Sequence, residues 1–379
     1  MMKAILLALG LWGASAHTTT TSSSPFSCLD ETGKSVEWFA GITYEKTYYY
    51  LDVNTPSSSS SWKLSPNALN DTTKGSLMST AGTIYANATN RFAFVSWNDQ
   101  PPTEESVSST YAHSKGILVT EGGESGTGFL LIHSKPSWPQ SSKAGSKINQ
   151  FPEYTYAQSF VCVSLTATEL EDVALALTVN RPFVYDSSTD GITSIPNLLS
   201  LISKTKNPNS DTKITKFNNK IFTLFSKSKA WGKDLYSDLI SPTLKASLSV
   251  ETWRDGSGGR LPSFCTKEEF SPVPKSGKVV DFNIWEVNEV LMPDGVGWSG
   301  TKDHSKWAVT NTTSTSEGKH VACIGDINRF CSQENRGGGS LCIQSETLWK
   351  AMSNIAVGVD GCWDVDVCAS DSCYWCESE

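Results

Sequence analysis

Three of the five histidines in this 379-residue chain open the same triplet: His113-Ser114-Lys115, His133-Ser134-Lys135 and His304-Ser305-Lys306. The first and third stand about half a chain apart. Such a recurrence asks for a fold of two related halves meeting at a seam, each supplying one imidazole and one ammonium. In an extended segment a lysine two residues after a histidine projects on the same face. The pair then offers a proton carrier or nucleophile that titrates near neutrality, next to a fixed positive charge. A phosphodiester needs both. His133 is the weaker member, since its lysine runs into Pro136, and it is read as a supporting or substrate-contacting residue.

Residues 1–16 read as a signal peptide. Lys3, the apolar run from Ala4 and the exit Ala14-Ser15-Ala16 are too short for a membrane span, which takes about 20 residues. A Thr/Ser-rich leader, 17–27, follows and is expected to be disordered. Ten cysteines fit an oxidising compartment. Three sequons, at Asn70, Asn87 and Asn311, are permissible glycosylation sites there. The expected location is the secretory pathway, ending in the lysosomal lumen or outside the cell, with no membrane partner.

Short apolar runs bounded by turn residues predict strands at 91–97, 116–119, 129–132, 161–165, 246–253, 282–287 and 321–324. Thr166 with Glu169 forms a capping box that predicts a helix start. Further helices are expected within 217–240 and at 346–356. Strands mixed with helices, without regular alternation, indicate an α/β, layered α+β, fold. The Ser/Asn/Asp-rich stretch 186–215 is the expected connection between halves.

The net charge of −8 weighs against general nucleic-acid binding. The charge is uneven, however: Lys204 to Lys233 holds eight lysines against Asp211 alone. Two readings stand side by side, a solvated helical face and a phosphate-tracking surface with interleaved aromatics Phe217, Phe222, Phe225 and Trp231. After the strand near 321, Asp326 and Asn328 are candidates to orient an imidazole and Arg329 to grip phosphate, against the plain reading of turn chemistry. Arg336 before three glycines lets backbone approach a phosphate closely. No histidine–carboxylate cluster has ligand spacing, so no metal or other cofactor is expected.

Several of these segments, in order, resemble the deoxyribonuclease II family of the phospholipase D superfamily. They are Val36-Glu37-Trp38-Phe39, Asn98-Asp99-Gln100-Pro101-Pro102, His113-Ser114-Lys115-Gly116, Phe225-Ser226-Lys227, Asp303-His304-Ser305-Lys306-Trp307, Gly325 to Arg329 and Arg336 to Gly339. The resemblance implies two phospholipase D-like halves, 28–185 and 216–362, forming a pseudo-dimer with one active site at their interface. An acidic, Cys-rich tail, 363–379, follows. It further implies metal-free, acid endonucleolytic hydrolysis of double-stranded DNA that leaves 3′-phosphate ends. His113, Lys115, His304 and Lys306 would be catalytic, with His113 the nucleophile and His304 the acid/base. Asn98, Asp99, His133, Lys227, Asp326, Asn328, Arg329 and Arg336 would support them. It also implies disulfides Cys28–Cys162, Cys265–Cys362 and Cys323–Cys342, leaving Cys331, Cys368, Cys373 and Cys376 for two more. Ala157, Ala308 and Glu121 depart from the family pattern, which usually has glycine, cysteine and aspartate there. Two other readings compete: a secreted DNA- or partner-binding protein with little catalysis, and a phosphodiesterase for another substrate. Intact His-x-Lys pairs argue against the first, and the lysine–aromatic segment argues modestly for a long polyanion over a lipid headgroup.

Overall fold

The computed structural model describes residues 26–361 apart from 60, 70, 86–91, 104, 124–125, 143–146, 150, 152–154, 204–209, 267–279 and 314. The expected signal peptide and nearly all of the leader, the C-terminal tail with Cys362, Asn70, Asn87, Lys204 and Lys206 therefore lie outside the described residues.

A two-stranded ribbon, β1 (Cys28–Leu29) and β2 (Ser35–Val36), precedes the first large sheet. That sheet contains β3 (Trp38–Tyr44), β4 (Thr47–Asp52), β5 (Lys63–Leu64), β6 (Ala93–Asn98), β7 (Lys115–Thr120), β8 (Thr127–His133), β9 (Gln158–Thr166) and β10 (Val184–Ser188). Its spatial order is β10-β6-β7-β8-β9-β3-β4-β5. The second sheet contains β11 (Thr212–Phe217), β12 (Phe222–Lys227), β13 (Ala246–Glu251), β14 (Ile284–Leu291), β15 (Gly297–Ser299), β16 (Trp307–Thr313), β17 (Val321–Gly325), β18 (Gly338–Gln344) and β19 (Ala356–Val359). Its order is β11-β12-β18-β17-β16-β13-β14-β15, with β19 paired to β14. Both β7 and β16 begin at the end of a His-Ser-Lys triplet and lie within, not at the edge of, their sheets.

The runs read as strands are nearly continuous in apolar residues because both faces of each sheet are covered. Along β9, Val161, Val163 and Leu165 enter one core cluster, while Phe160 and Cys162 enter another. The first cluster is shared by the two sheets, joining Trp97, Leu118 and Ile132 to Trp307, Ile324 and Leu341. The helix Ala167–Asn180 contributes Leu170, Val173 and Leu177 to it, and the helix Glu346–Ile355 contributes Leu348 and Met352. Separate clusters cover the far face of each sheet. At about 25 cal/mol per Å² of apolar area buried, this shared core is the main force holding the sheets together.

The capping box forms as read: Thr166 Oγ1 accepts from the Glu169 amide while the Glu169 carboxylate accepts from the Thr166 amide. The helix expected over 217–240 does not form. That stretch is largely the hairpin β11–β12, followed by short helical turns at Lys229–Trp231 and Tyr236–Leu244. Phe222, Leu224 and Phe225 are buried because β12 pairs with β18 in the sheet interior, so tertiary pairing overrides local pattern. The basic segment is thus no helical face. Lys216, Lys220, Lys229 and Lys233 are exposed, and Lys227 is fully buried. The expected connection is also partly structured, carrying the helix Pro196–Ile202 against Ala167–Asn180.

Cys28–Cys162 and Cys323–Cys342 are bonded. The first closes a separation of 134 residues, a restriction on the unfolded chain worth roughly 4–5 kcal/mol in the loop-closure account. Cys265 and Cys331 each take part in a disulfide as well. Asn311 is exposed, with its amide donating to Ser249 Oγ at 2.7 Å. No helix among the described residues is long and apolar enough to cross a membrane.

Candidate active site

The cross-strand pair Asn98–Lys115, between β6 and β7, sets the first half of the site. It brings Asp99 beside the Lys115 ammonium, and the two form an ion pair. Arg336, just before β18, reaches the same carboxylate at 3.3 Å and also donates to the Tyr111 and Ala112 carbonyls at 3.2 and 3.3 Å. Burial alone would raise the Asp99 pKa. The Lys115 ammonium and the Arg336 guanidinium beside it outweigh burial and hold the carboxyl below its ordinary range.

His113 is held by residues flanking β17 and β18. Its backbone N–H donates to the Gly337 carbonyl at 2.9 Å, and its Nδ1 lies 2.6 Å from the Asp326 carbonyl oxygen. A carbonyl only accepts, so Nδ1 carries the proton and Nε2 of the neutral ring carries the lone pair. Nε2 faces Asp99 Oδ2 at 3.9 Å. Gly337 has to be glycine here, because a Cβ would collide with the Asn180 carbonyl at the end of the helix Ala167–Asn180. Burial, with the charges of Lys115, Lys306 and Arg336, pushes the His113 imidazole down to about 3.

The second triplet is anchored in the reverse sense. His304 N–H donates to the Ala157 carbonyl, Ala157 N–H donates to the Lys302 carbonyl, and Lys306 N–H donates to Ser159 Oγ. Asp303 fixes the triplet's backbone, with Oδ1 accepting from Ser305 N–H and Oδ2 from Trp298 Nε1–H, both at 2.7 Å. The His304 ring stacks on Tyr156, with centroids 4.3 Å apart, and leans on Trp253 at 4.3 Å. Its Nε2 is buried and makes no hydrogen bond. Burial and the nearby Lys306, Lys115 and Lys135 push this imidazole down to about 3 as well. The Lys306 ammonium donates to the His304 carbonyl at 2.5 Å, and burial beside Lys115 lowers it to about 7.

The remaining expected residues divide by placement. Asp326 is buried beside these groups, and burial raises its carboxyl to about 8. Its Oδ1 and the buried Asn328 Oδ1 have no hydrogen-bond partner. Asn98 is structural in geometry: its amide donates to the Lys135 and Trp138 carbonyls and its oxygen accepts from Gln100 N–H. His133 packs as an aromatic ring on Trp138 and Phe160, and neither nitrogen makes a hydrogen bond. The middle triplet therefore brings the charge of Lys135 toward His304 while its own imidazole stays in the packing. Arg329 is fully buried and paired with Glu286 and Asp234, with its guanidinium 4.6 Å from the Phe264 centroid. That placement supports a role inside the second sheet and gives no support to gripping phosphate. Lys227 is no surface charge: it donates to the Gln333, Glu334 and Arg336 carbonyls at 3.0, 2.8 and 2.6 Å.

Tyr156 and Trp253 escaped the sequence reading because contacts between segments so far apart leave no local signal. Ala157, noted only as a departure from the family, lies at the junction of the halves, where it forms a bridge with Asp303.

Comparison with known proteins gives the family of the chain. A profile of the family described as Deoxyribonuclease II matches residues 27–362. Deoxyribonuclease-2-alpha of Bos taurus is 32% identical over 363 residues, covering 88% of this chain and 90% of the relative. Plancitoxin-1 of Acanthaster planci is 31% identical over 366 residues, covering 90% and 94%. Cell death-related nuclease 6 of Caenorhabditis elegans is 30% identical over 383 residues, covering 94% and 92%. With its histidine–lysine pairs intact and the match running through nearly all of the described structure, the chain belongs to the deoxyribonuclease II family and is a nuclease, a hydrolase acting on DNA.

Proposed function

We propose that the protein is an acid endodeoxyribonuclease that hydrolyses double-stranded DNA without a metal ion and leaves 3′-phosphate ends. We read its two halves as a pseudo-dimer with one active site at the seam. The observation that carries this reading is geometric: His113 is held by the Gly337 and Asp326 carbonyls beside the second sheet, while His304 and Lys306 are held by Ala157 and Ser159 beside or in the first. That exchange of contacts supports reading the two triplets as one site.

The chemistry follows from the atoms available. His113, with Nδ1–H on the Asp326 carbonyl, presents Nε2 to phosphorus. Attack forms an N–P bond to the 3′-phosphoryl group and breaks the P–O5′ bond, and the His304 imidazolium gives its proton to the departing 5′ oxygen. Neutral His304 then takes a proton from water. The resulting attack on phosphorus breaks the N–P bond, releases the 3′-phosphate and restores both rings. Lys115 and Lys306 stabilise charge on the non-bridging oxygens. Asp99 keeps Lys115 in place until phosphate arrives.

The acid dependence has a physical origin in the same groups. His113 must enter neutral and His304 protonated, so the two titrate as a coupled pair. Burial and neighbouring lysines disfavour the imidazolium, whereas an incoming phosphate favours it. Rate should therefore fall as pH rises through the His304 pKa of the DNA complex. The N-terminal pattern of residues 1–16 supports delivery through the secretory pathway to an acidic lumen or the exterior.

The test is plasmid cleavage by purified protein at about pH 5 and about pH 7.5, spanning the imidazole range, with EDTA throughout. Cleavage at the lower pH, lost in His113→Ala, is expected. Folded protein that binds DNA but never cleaves it would favour the binding-protein reading instead.

A further inference from the structure

Of the two candidate catalytic imidazoles, His304 is the one whose ring is flanked by aromatic rings. Tyr156 lies nearly parallel to it, at an interplanar angle of 18°, and Trp253 is tilted by 52°, each with its centroid 4.3 Å from the imidazole centroid. The charged groups around this ring are cations: Lys306, Lys115 and Lys135 act on it directly, and the Lys302 ammonium lies 5.5 Å from the centroid of Tyr156. The adjoining carboxylate, Asp303, is engaged by Trp298 and the Ser305 amide. His304 Nε2 accepts and donates nothing. A proton donor in such a place needs some feature that favours its charged form before a leaving group takes the proton. The π face of an aromatic ring attracts a cation, the more so where water is excluded.

We infer that Tyr156 and Trp253 form an aromatic cage that orients the His304 ring and favours its imidazolium, making them positioning residues for protonation of the leaving 5′ oxygen. The inference rests on the proposed two-histidine reaction, and it assigns the two rings to one half-step of it. The face of Tyr156 matters and its hydroxyl does not, so Tyr156→Phe should behave as the parent. Tyr156→Leu and Trp253→Leu keep apolar bulk but lose the π face.

The experiment compares these variants on ordinary DNA and on DNA with a bridging 5′-sulfur, whose thiolate departs without a proton. It is paired with nuclear magnetic resonance titration of the His304 ring in the folded protein. We expect the leucine variants to lower the His304 pKa by about one, as loss of a cation–π contact implies. The alkaline limb of the pH–rate profile should move to lower pH by the same amount. On ordinary DNA near that limb the rate should fall about tenfold, while cleavage of the sulfur-bridged DNA stays within about twofold of the parent. An unmoved His304 titration, or equal losses on the two substrates, would overturn the cage, since both are what a merely structural role produces. Absence of cleavage in the parent with a lowered His304 pKa in the leucine variants would sink the reaction and leave the cage standing.

Discussion

The two catalytic candidates reach similar positions by opposite means. His113 is oriented by polar contacts: a carbonyl on Nδ1 and a carbonyl on its backbone N–H. His304 is oriented by packing against two aromatic rings, and its Nε2 is left without a partner. A hydrogen bond on Nδ1 fixes the tautomer and points a lone pair, as a nucleophile requires. Aromatic faces fix the plane of a ring without committing either nitrogen, which suits a group that must give a proton and then take one. The related triplets thus carry unlike surroundings, and the proposed division of roles rests on that difference.

Removing either ring is the severest way to probe that difference. On ordinary DNA, His113→Ala and His304→Ala should each lose about 10³-fold or more in rate, measured with purified protein at about pH 5. Substantial residual cleavage in both would break the comparison outright.

A smaller effect should separate the two environments through their supports. The loop that carries Arg336 and the Gly337 carbonyl is held by Lys227, whose three ammonium protons meet three carbonyls. Lys227→Met leaves those acceptors unpaired in a dry interior. It should cost about 3 kcal/mol of stability and disturb His113 while His304 keeps its place, read from denaturant unfolding together with the resonances of both rings. Equal disturbance of the two rings would show that the supports are not separate.

A further contrast lies in stability against pH. Both imidazoles titrate near 3 in the fold and at about 6.5 in an unfolded chain. As pH falls below about 6.5 the unfolded chain takes up these protons first, so stability drops. Asparagine at either position removes one such group and should flatten the decline of Tm between about pH 6.5 and pH 4. An unchanged slope would mean that the rings are not held neutral in the free protein.

Much of this was legible in the sequence, and what was not has physical causes. The strands of both halves were readable because covered sheets need unbroken apolar runs, as at Ile117–Val119 and Phe129–Ile132. The Thr166 cap was readable because it is entirely local. The segment from Phe217 to Ile240 misled because its aromatics and lysines look alike on a helix or a strand, and pairing of β12 with the distant β18 decides. At the site, the triplets put His113, Lys115, His304 and Lys306 forward as one candidate group, and both rings lie in the field of both lysines. They said nothing of Tyr156 or Trp253, nor that His133 would turn into the packing and Arg329 toward Glu286. Such facts arise only when distant segments meet.

The division of labour between the two histidines is tested most directly with DNA carrying sulfur in place of the bridging 5′ oxygen at one position. Its leaving group needs no proton. His304→Ala should cleave this substrate within about tenfold of the parent, accumulating a covalent adduct on His113, while His113→Ala cleaves neither substrate. Rescue of His113→Ala with failure of His304→Ala would reverse the roles, and rescue of neither would contradict the assignment of leaving-group protonation to His304.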